Sequence, residues 1–192
     1  MAQASRFCIE GYVIVSADGM LAKGDHAMPS ELKFDADTAF FSAALDRADL
    51  IVHGRLSQED QPNAPSRKRL IVTRKVASLA ADPENPRAVL WNPADRPLEA
   101  ACEFAGVDSG KIAVIGGPAV FDLFMARFDA FWLSQAARVQ LPGGEPCFAG
   151  VPARSPQQVL AAHGLKPGET QILDAANDVT VTPWRRSASE RP

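Results

Sequence analysis

The sequence is poor in cysteine, in net charge and in long apolar runs, and each shortage removes a class of protein. Its three cysteines, Cys8, Cys102 and Cys147, lie far apart and form no C-x-x-C pair. Neither a zinc site nor a disulfide framework is indicated, and no metal is expected. A reducing, cytoplasmic compartment fits such a chain. The formal net charge is −3, so the cationic footprint that broad nucleic-acid binding needs is missing. No apolar run reaches the roughly 18 residues of a membrane span. "MAQASRFCIEGYVIVS" has no basic segment followed by a long apolar one, so no secretory leader is read there.

What is present suits one folded α/β unit. A hydrophobic content of 46% over 192 residues can supply a real core. "FCIEGYVIVS" reads as a strand, rich in aromatic and β-branched residues. "ADGMLAKGDHAMPSE" is loop-like. In "FDADTAFFSAALDRA" the positions of Phe40, Phe41, Ala44 and Leu45 predict a helix. "DLIVHG", "RKRLIVTR", "RAVLW" and "KIAVIGG" read as buried strands, and "RPLEAACEFAGV" and "PAVFDLFMARF" as helices. From "DAFWLSQAARVQL" onward only strand is expected, ending in a hairpin over "ETQILDAANDVTVTPWRR". The prediction is a mostly parallel α/β sheet flanked by helices, with an antiparallel C-terminal hairpin. It forms a single domain over residues 1–186, with 187–192 as a frayed tail. "PENPR" and "PADRP" are loops within that domain.

Ligands of open α/β sheets bind at the carboxyl ends of the strands. Several loops there carry suggestive residues. Asp18-Gly19 in "SADGMLA" is a turn signal. In "VHGRLS", Gly54 lets a ligand approach the backbone, while Arg55 and Ser57 can bind phosphate; His53 reads as a strand residue satisfied locally. Arg74 and Lys75 follow another strand and could meet a 2′-phosphate. Gly116-Gly117 lead from a strand into a helix, with Pro118 in its first turn; amides and helix dipole there suit an anion. Neither G-x-G-x-x-G nor G-K-[ST] occurs at that point, so a Rossmann fingerprint and a P-loop are both absent. Asp35 sits where an N-cap would be, and Asp37 in the first turn. Turned into a pocket beside Phe40 or Phe41, Asp37 would polarise a nitrogen heterocycle, with burial raising its pKa.

In order and spacing these pieces resemble the dihydrofolate reductase superfamily, and within it the reductase domain of the riboflavin-biosynthesis deaminase–reductases. The resemblance runs over about residues 8 to 148. Its carriers are Ser16-Ala17-Asp18-Gly19-Met20-Leu21-Ala22, Asp37 in "ADTAFF", "VHGRLS" and "VIGGPAVF". It implies an NADPH-dependent reductase passing hydride to a pterin- or aminopyrimidine-like substrate. Gly54, Arg55, Ser57, Thr73, Arg74, Gly116, Gly117, Val120 and Phe121 would then contact NADPH. Asp37, supported by Ser134, would act on the substrate ring, Phe41 would line its site, and Arg67 would hold a substrate carboxylate. A homodimer is expected by the same analogy, with the apolar "FDAFWL" strand contributing. Ser30 stands where the dihydrofolate enzymes have tryptophan. No H-x-E with P-C-x-x-C set is present, so no deaminase domain is expected. The alternative is a nucleotide-binding module of the same fold that has lost catalysis.

Overall fold

The computed structural model describes residues 6–24, 26–57 and 61–187. The frayed tail expected over 187–192 lies, apart from Ser187, outside the described residues.

Strand β1, Phe7–Ser16, is the centre of the molecule. It pairs in parallel with β7, Gly110–Val114, and with β8, Ala130–Ala136. A strand buried on both faces must be apolar nearly throughout, and all but two of its ten residues are buried. Beyond β7 come β3, Leu50–Gly54, β4, Arg69–Val72, and β6, Ala88–Trp91, all parallel. An unpredicted antiparallel strand, β5, Leu79–Ala81, closes that edge. On the other side β12, Val179–Arg186, runs antiparallel to β8. It forms the expected hairpin with β11, Gln171–Asp174, and also pairs with β10, Leu165–Pro167. The ten-stranded sheet is thus mostly parallel at its centre and antiparallel at both edges. β8 lies inside it, between β1 and β12, with Phe131 fully buried. Both edges of "FDAFWL" are therefore paired within the chain.

The two faces are covered unequally. Helices α2, Leu98–Phe104, α3, Pro118–Phe124, and α4, Pro156–Ala162, supply Leu98, Phe121, Phe124 and Leu160 to the larger core. Edge-to-face phenylalanines fill it, with Phe131 touching Phe121, Phe128 and Phe148 at centroid distances of 5.1–5.3 Å. Gly11 is needed there, because a Cβ would come within 2.3 Å of the Phe131 ring. The opposite face is covered by α1, Asp35–Asp46, which packs Ala44 and Leu45 on Tyr12, Ile51 and Ala113.

Two local expectations are corrected. The N-cap of α1 is Phe34, with no side-chain cap; Asp35 is the first helical residue and Asp37 the third. The run after residue 129 is not pure strand, because α4 interrupts it. Ser155 accepts from the amide of Gln158, and the Gln158 side chain accepts from the amide of Ser155. This reciprocal cap, with Pro156 in the first turn, starts a helix firmly.

Candidate active site

A cleft of about 1500 Å³ runs along the carboxyl ends of β8, β1, β7, β3 and β4. Four strand spacings separate its ends, about 19 Å. Its volume exceeds the roughly 300–1,000 Å³ of an ordinary small-molecule site, leaving room for two ligands. A short sheet borders it: β2, Met20–Ala22, pairs with β9, Glu145–Pro146. Asp18 ties the same loops, accepting from Ser16 Oγ at 2.6 Å and the Leu141 amide at 3.0 Å.

One end of the cleft is aromatic and holds an acid. Asp37 reaches it from the first turn of α1 and is 8% exposed. Burial raises its pKa, and a hydrogen bond with the Ser134 side chain opposes that only in part. Ser134, on β8, is itself buried. Asp35 is exposed and does not line the cleft. Phe40 and Phe41, also on α1, line this end with Tyr12 and Trp132. Phe40 lies 5.5 Å from Trp132, and Phe41 6.5 Å from Tyr12, between ring centroids. Tyr12 and Trp132 face each other across β1 and β8 with rings only 4° from parallel.

The other end is built from backbone and cations. The amide of Gly54 donates to Gly116 O at 2.7 Å, which joins β3 to the glycine pair. The Gly116–Gly117 peptide is cis, and Gly116 has φ of +104°. A Cβ at Gly116 would also come within 3.1 Å of the Phe121 ring, so a side chain there is strained twice over. Gly117, Ser57, Val120 and Phe121 line the cleft, whereas Gly116 supports them from behind. Helix α3 has only seven residues, so the backbone turn rather than a long helix dipole defines this corner. Arg55, Arg74 and Lys75 are exposed along the rim; no ion pair holds them among the described residues. Thr73 lines the cleft too, but its Oγ1 accepts from the Lys75 amide at 3.1 Å. His53 is buried and locally satisfied, with Nδ1 2.8 Å from Gly54 O and Nε2 3.4 Å from Arg69.

Arg67 does not belong to this set. Its guanidinium is buried and bonds Asp46 at 2.6 Å, Ser42 at 3.2 Å and Gln61 at 3.2 Å. Its donors are spent inside the protein, holding the 61–67 loop against α1, so the expected carboxylate contact is corrected. Sequence reasoning also passed over Tyr12, Trp132 and Glu10. Their signal was a two-residue alternation, Glu10-x-Tyr12, inside a strand buried on both faces.

Other chemistries find little support. Burial pushes the thiols of Cys102 and Cys147 up to about 12, so neither is a ready nucleophile. No group of three His, Cys, Asp or Glu side chains suited to a metal ion occurs among the described residues. Nor is any described helix long and apolar enough to cross a membrane.

A parallel sheet with this strand order and a cleft at its carboxyl ends define an α/β protein of the dihydrofolate reductase fold. Solved structures bear that out. The chain matches a dihydrofolate reductase from Enterococcus faecalis complexed with NADP(H), with TM-score 0.63 and 14% identity over 94% of this chain and 96% of that one. It matches a Shewanella sp. PV-4 protein assigned to riboflavin biosynthesis, with TM-score 0.61 and 16% identity over 94% and 99%. A Thermotoga maritima diaminohydroxyphosphoribosylaminopyrimidine deaminase/5-amino-6-(5-phosphoribosylamino)uracil reductase gives TM-score 0.61 and 16% identity. There the match covers 94% of this chain and 56% of the longer protein. No family model and no curated protein matches the chain.

Proposed function

We propose that the chain is an NADPH-dependent reductase of a planar nitrogen heterocycle, pterin- or aminopyrimidine-like. The observation that carries this reading is Asp37, a buried acid with one hydrogen-bond partner, facing an aromatic cleft whose far end is glycine backbone and unpaired cations. NADPH fits that far end in three respects. Gly54 and Gly117 leave the backbone approachable, Ser57 offers a hydroxyl beside Gly117, and Arg55 and Arg74 supply positive charge for phosphates. The named neighbours agree, since one is a dihydrofolate reductase complexed with NADP(H) and another a uracil reductase.

The bound nicotinamide would supply hydride to a C=N or C=O carbon of the substrate. The chain's own part is to hold the heterocycle and manage the proton. Phe40, Phe41, Tyr12 and Trp132 offer a dry, flat-sided space. Asp37 hydrogen-bonds a ring nitrogen, and its burial, which raises its pKa, favours the protonated form it needs for that exchange. Ser134 fixes the carboxyl's orientation. Arg67 takes no part.

The test has two arms. NADPH should raise the melting temperature more than NADH does, because a ligand bound only by the folded state stabilises it. NADPH oxidation is then followed with 7,8-dihydrofolate and with 5-amino-6-(5-phosphoribosylamino)uracil. Stabilisation without turnover on either would favour a binding module that has lost catalysis. No stabilisation by either cofactor would sink both readings.

A further inference from the structure

Glu10 is a buried carboxylate outside the cleft, and no step above uses it. Burying a charge is costly unless it is paired and hydrogen-bonded, and an apolar residue would fill this strand position as well. Its bonds explain why a carboxylate is there. Oε1 meets Lys111 Nζ at 3.0 Å. Oε2 accepts from two aromatic donors together, the Tyr12 hydroxyl and Trp132 Nε1, the latter at 3.2 Å. Both rings line the cleft. They sit in direct register on neighbouring strands, so one acceptor between them fixes the torsions of both. The next residues on the same face of those strands, Ile14 and Ser134, are again in register, and Ser134 bonds Asp37.

We infer that Glu10 is a positioning residue for the substrate end, holding Tyr12 and Trp132 as the flat layer against which the heterocycle packs. The inference rests on the reductase reading. Glu10 touches neither substrate nor cofactor; it acts through two rings that do line the site. The layer beneath Ser134 and Asp37 is then set by one carboxylate rather than by packing alone.

Glu10→Gln keeps the volume but turns an amide NH₂ toward donors on one side, so one set of bonds is lost. We expect it to raise KM for whichever of 7,8-dihydrofolate and 5-amino-6-(5-phosphoribosylamino)uracil is reduced by about tenfold, leaving kcat within about threefold. The Kd for NADPH should stay within about twofold. Tyr12→Phe and Trp132→Phe leave the Glu10–Lys111 pair intact and guard against a Glu10 variant that fails to fold; each should raise KM a few-fold. Adding Tyr12→Phe to Glu10→Gln should change KM by less than about twofold, since contacts in one network do not add. The Trp132 indole N–H resonance, assigned by its loss in Trp132→Phe, should shift in Glu10→Gln. A folded Glu10→Gln with unchanged KM overturns the inference and leaves the reductase reading standing. Equal loss of NADPH affinity also overturns it, because that is general loosening. A parent protein that reduces neither compound removes the reductase reading, and this inference with it.

Discussion

Glu10 and Asp37 are both 8% exposed and both lie on the α1 side of the sheet, yet their carboxyls are pulled in opposite directions. Burial pushes each pKa up. At Glu10 the bonds from Tyr12, Lys111 and Trp132 outweigh it and hold the carboxyl below its usual range. At Asp37 only Ser134 answers, and burial wins. At similar exposure the charged form is therefore favoured at Glu10 and the neutral form at Asp37. The two carboxyls differ in their donors, and Asp37 is also the more deeply set.

The largest expected effect tests the chemical member of the pair. Asp37→Asn keeps shape and the Ser134 neighbour but cannot trade a proton. Turnover of the heterocycle should fall by about 10²–10³-fold, within the range seen for lost acid–base groups. NADPH affinity should hold within about twofold, since Asp37 and the glycine pair stand at opposite ends of the cleft. Steady-state kinetics and a cofactor titration check both halves. Unchanged turnover would move the acid elsewhere.

The structural member should answer with stability instead. Glu10→Ala leaves Lys111, Tyr12 and Trp132 without their acceptor, and breaking buried pairs is costly. Lys111 is one-third exposed and can recover water, so we expect about 2–3 kcal/mol, below the roughly 3–5 kcal/mol of a fully buried pair. Urea unfolding at pH 7 measures it. A loss below about 0.5 kcal/mol, the size of ordinary surface changes, would show that the network is not holding the sheet. A smaller step comes from Arg67→Ala. Its partner Asp46 is largely exposed, so the fall in melting temperature should be less than for Glu10→Ala. KM should be unchanged, whereas a raised KM would restore Arg67 to the substrate.

Much of this was legible from residue order. The parallel strands β1, β3, β4 and β6, the glycine pair and the helix carrying Asp37 all follow local rules of periodicity and punctuation. The helix at Pro156 was equally readable, from Ser155-Pro156-Gln157-Gln158, and went unread because the surrounding residues suggested strand. Other features were beyond local reading. Arg67 pairs with Asp46 across 21 residues, and Trp132 reaches Glu10 across 122. Which of two nearby acids faces the cleft depended on the true N-cap, Phe34, which has no capping side chain to announce it. Short strands such as β5 take their identity from a neighbour, here β6, rather than from their own three residues.

The smallest effect is the most discriminating, because its sign differs between the two carboxylates. Asp37 has a folded pKa above its ordinary value of 3.8. Below that value both folded and unfolded forms are protonated, and Asp37 costs nothing. As pH rises from that value to the folded pKa, the unfolded form ionises first while the buried group lags, and a penalty grows in until both are ionised. Asp37→Asn removes it, so the variant should be slightly more stable than the parent at pH 7, by about 1 kcal/mol or less. That is about 2–4 °C in Tm for a chain of this size. The gain should vanish toward pH 4. Glu10 runs the other way: its folded pKa is below the ordinary 4.5, so its contribution is full above that value and is lost as pH falls through the folded pKa. Glu10→Gln should therefore be less stable than the parent at pH 7 and approach it in acid. Paired melting curves from pH 7 down to about 3 decide the matter. An Asp37→Asn protein less stable than the parent at pH 7 would mean that the carboxylate is paid back by donors beyond Ser134, and Asp37 would lose its distinction from Glu10.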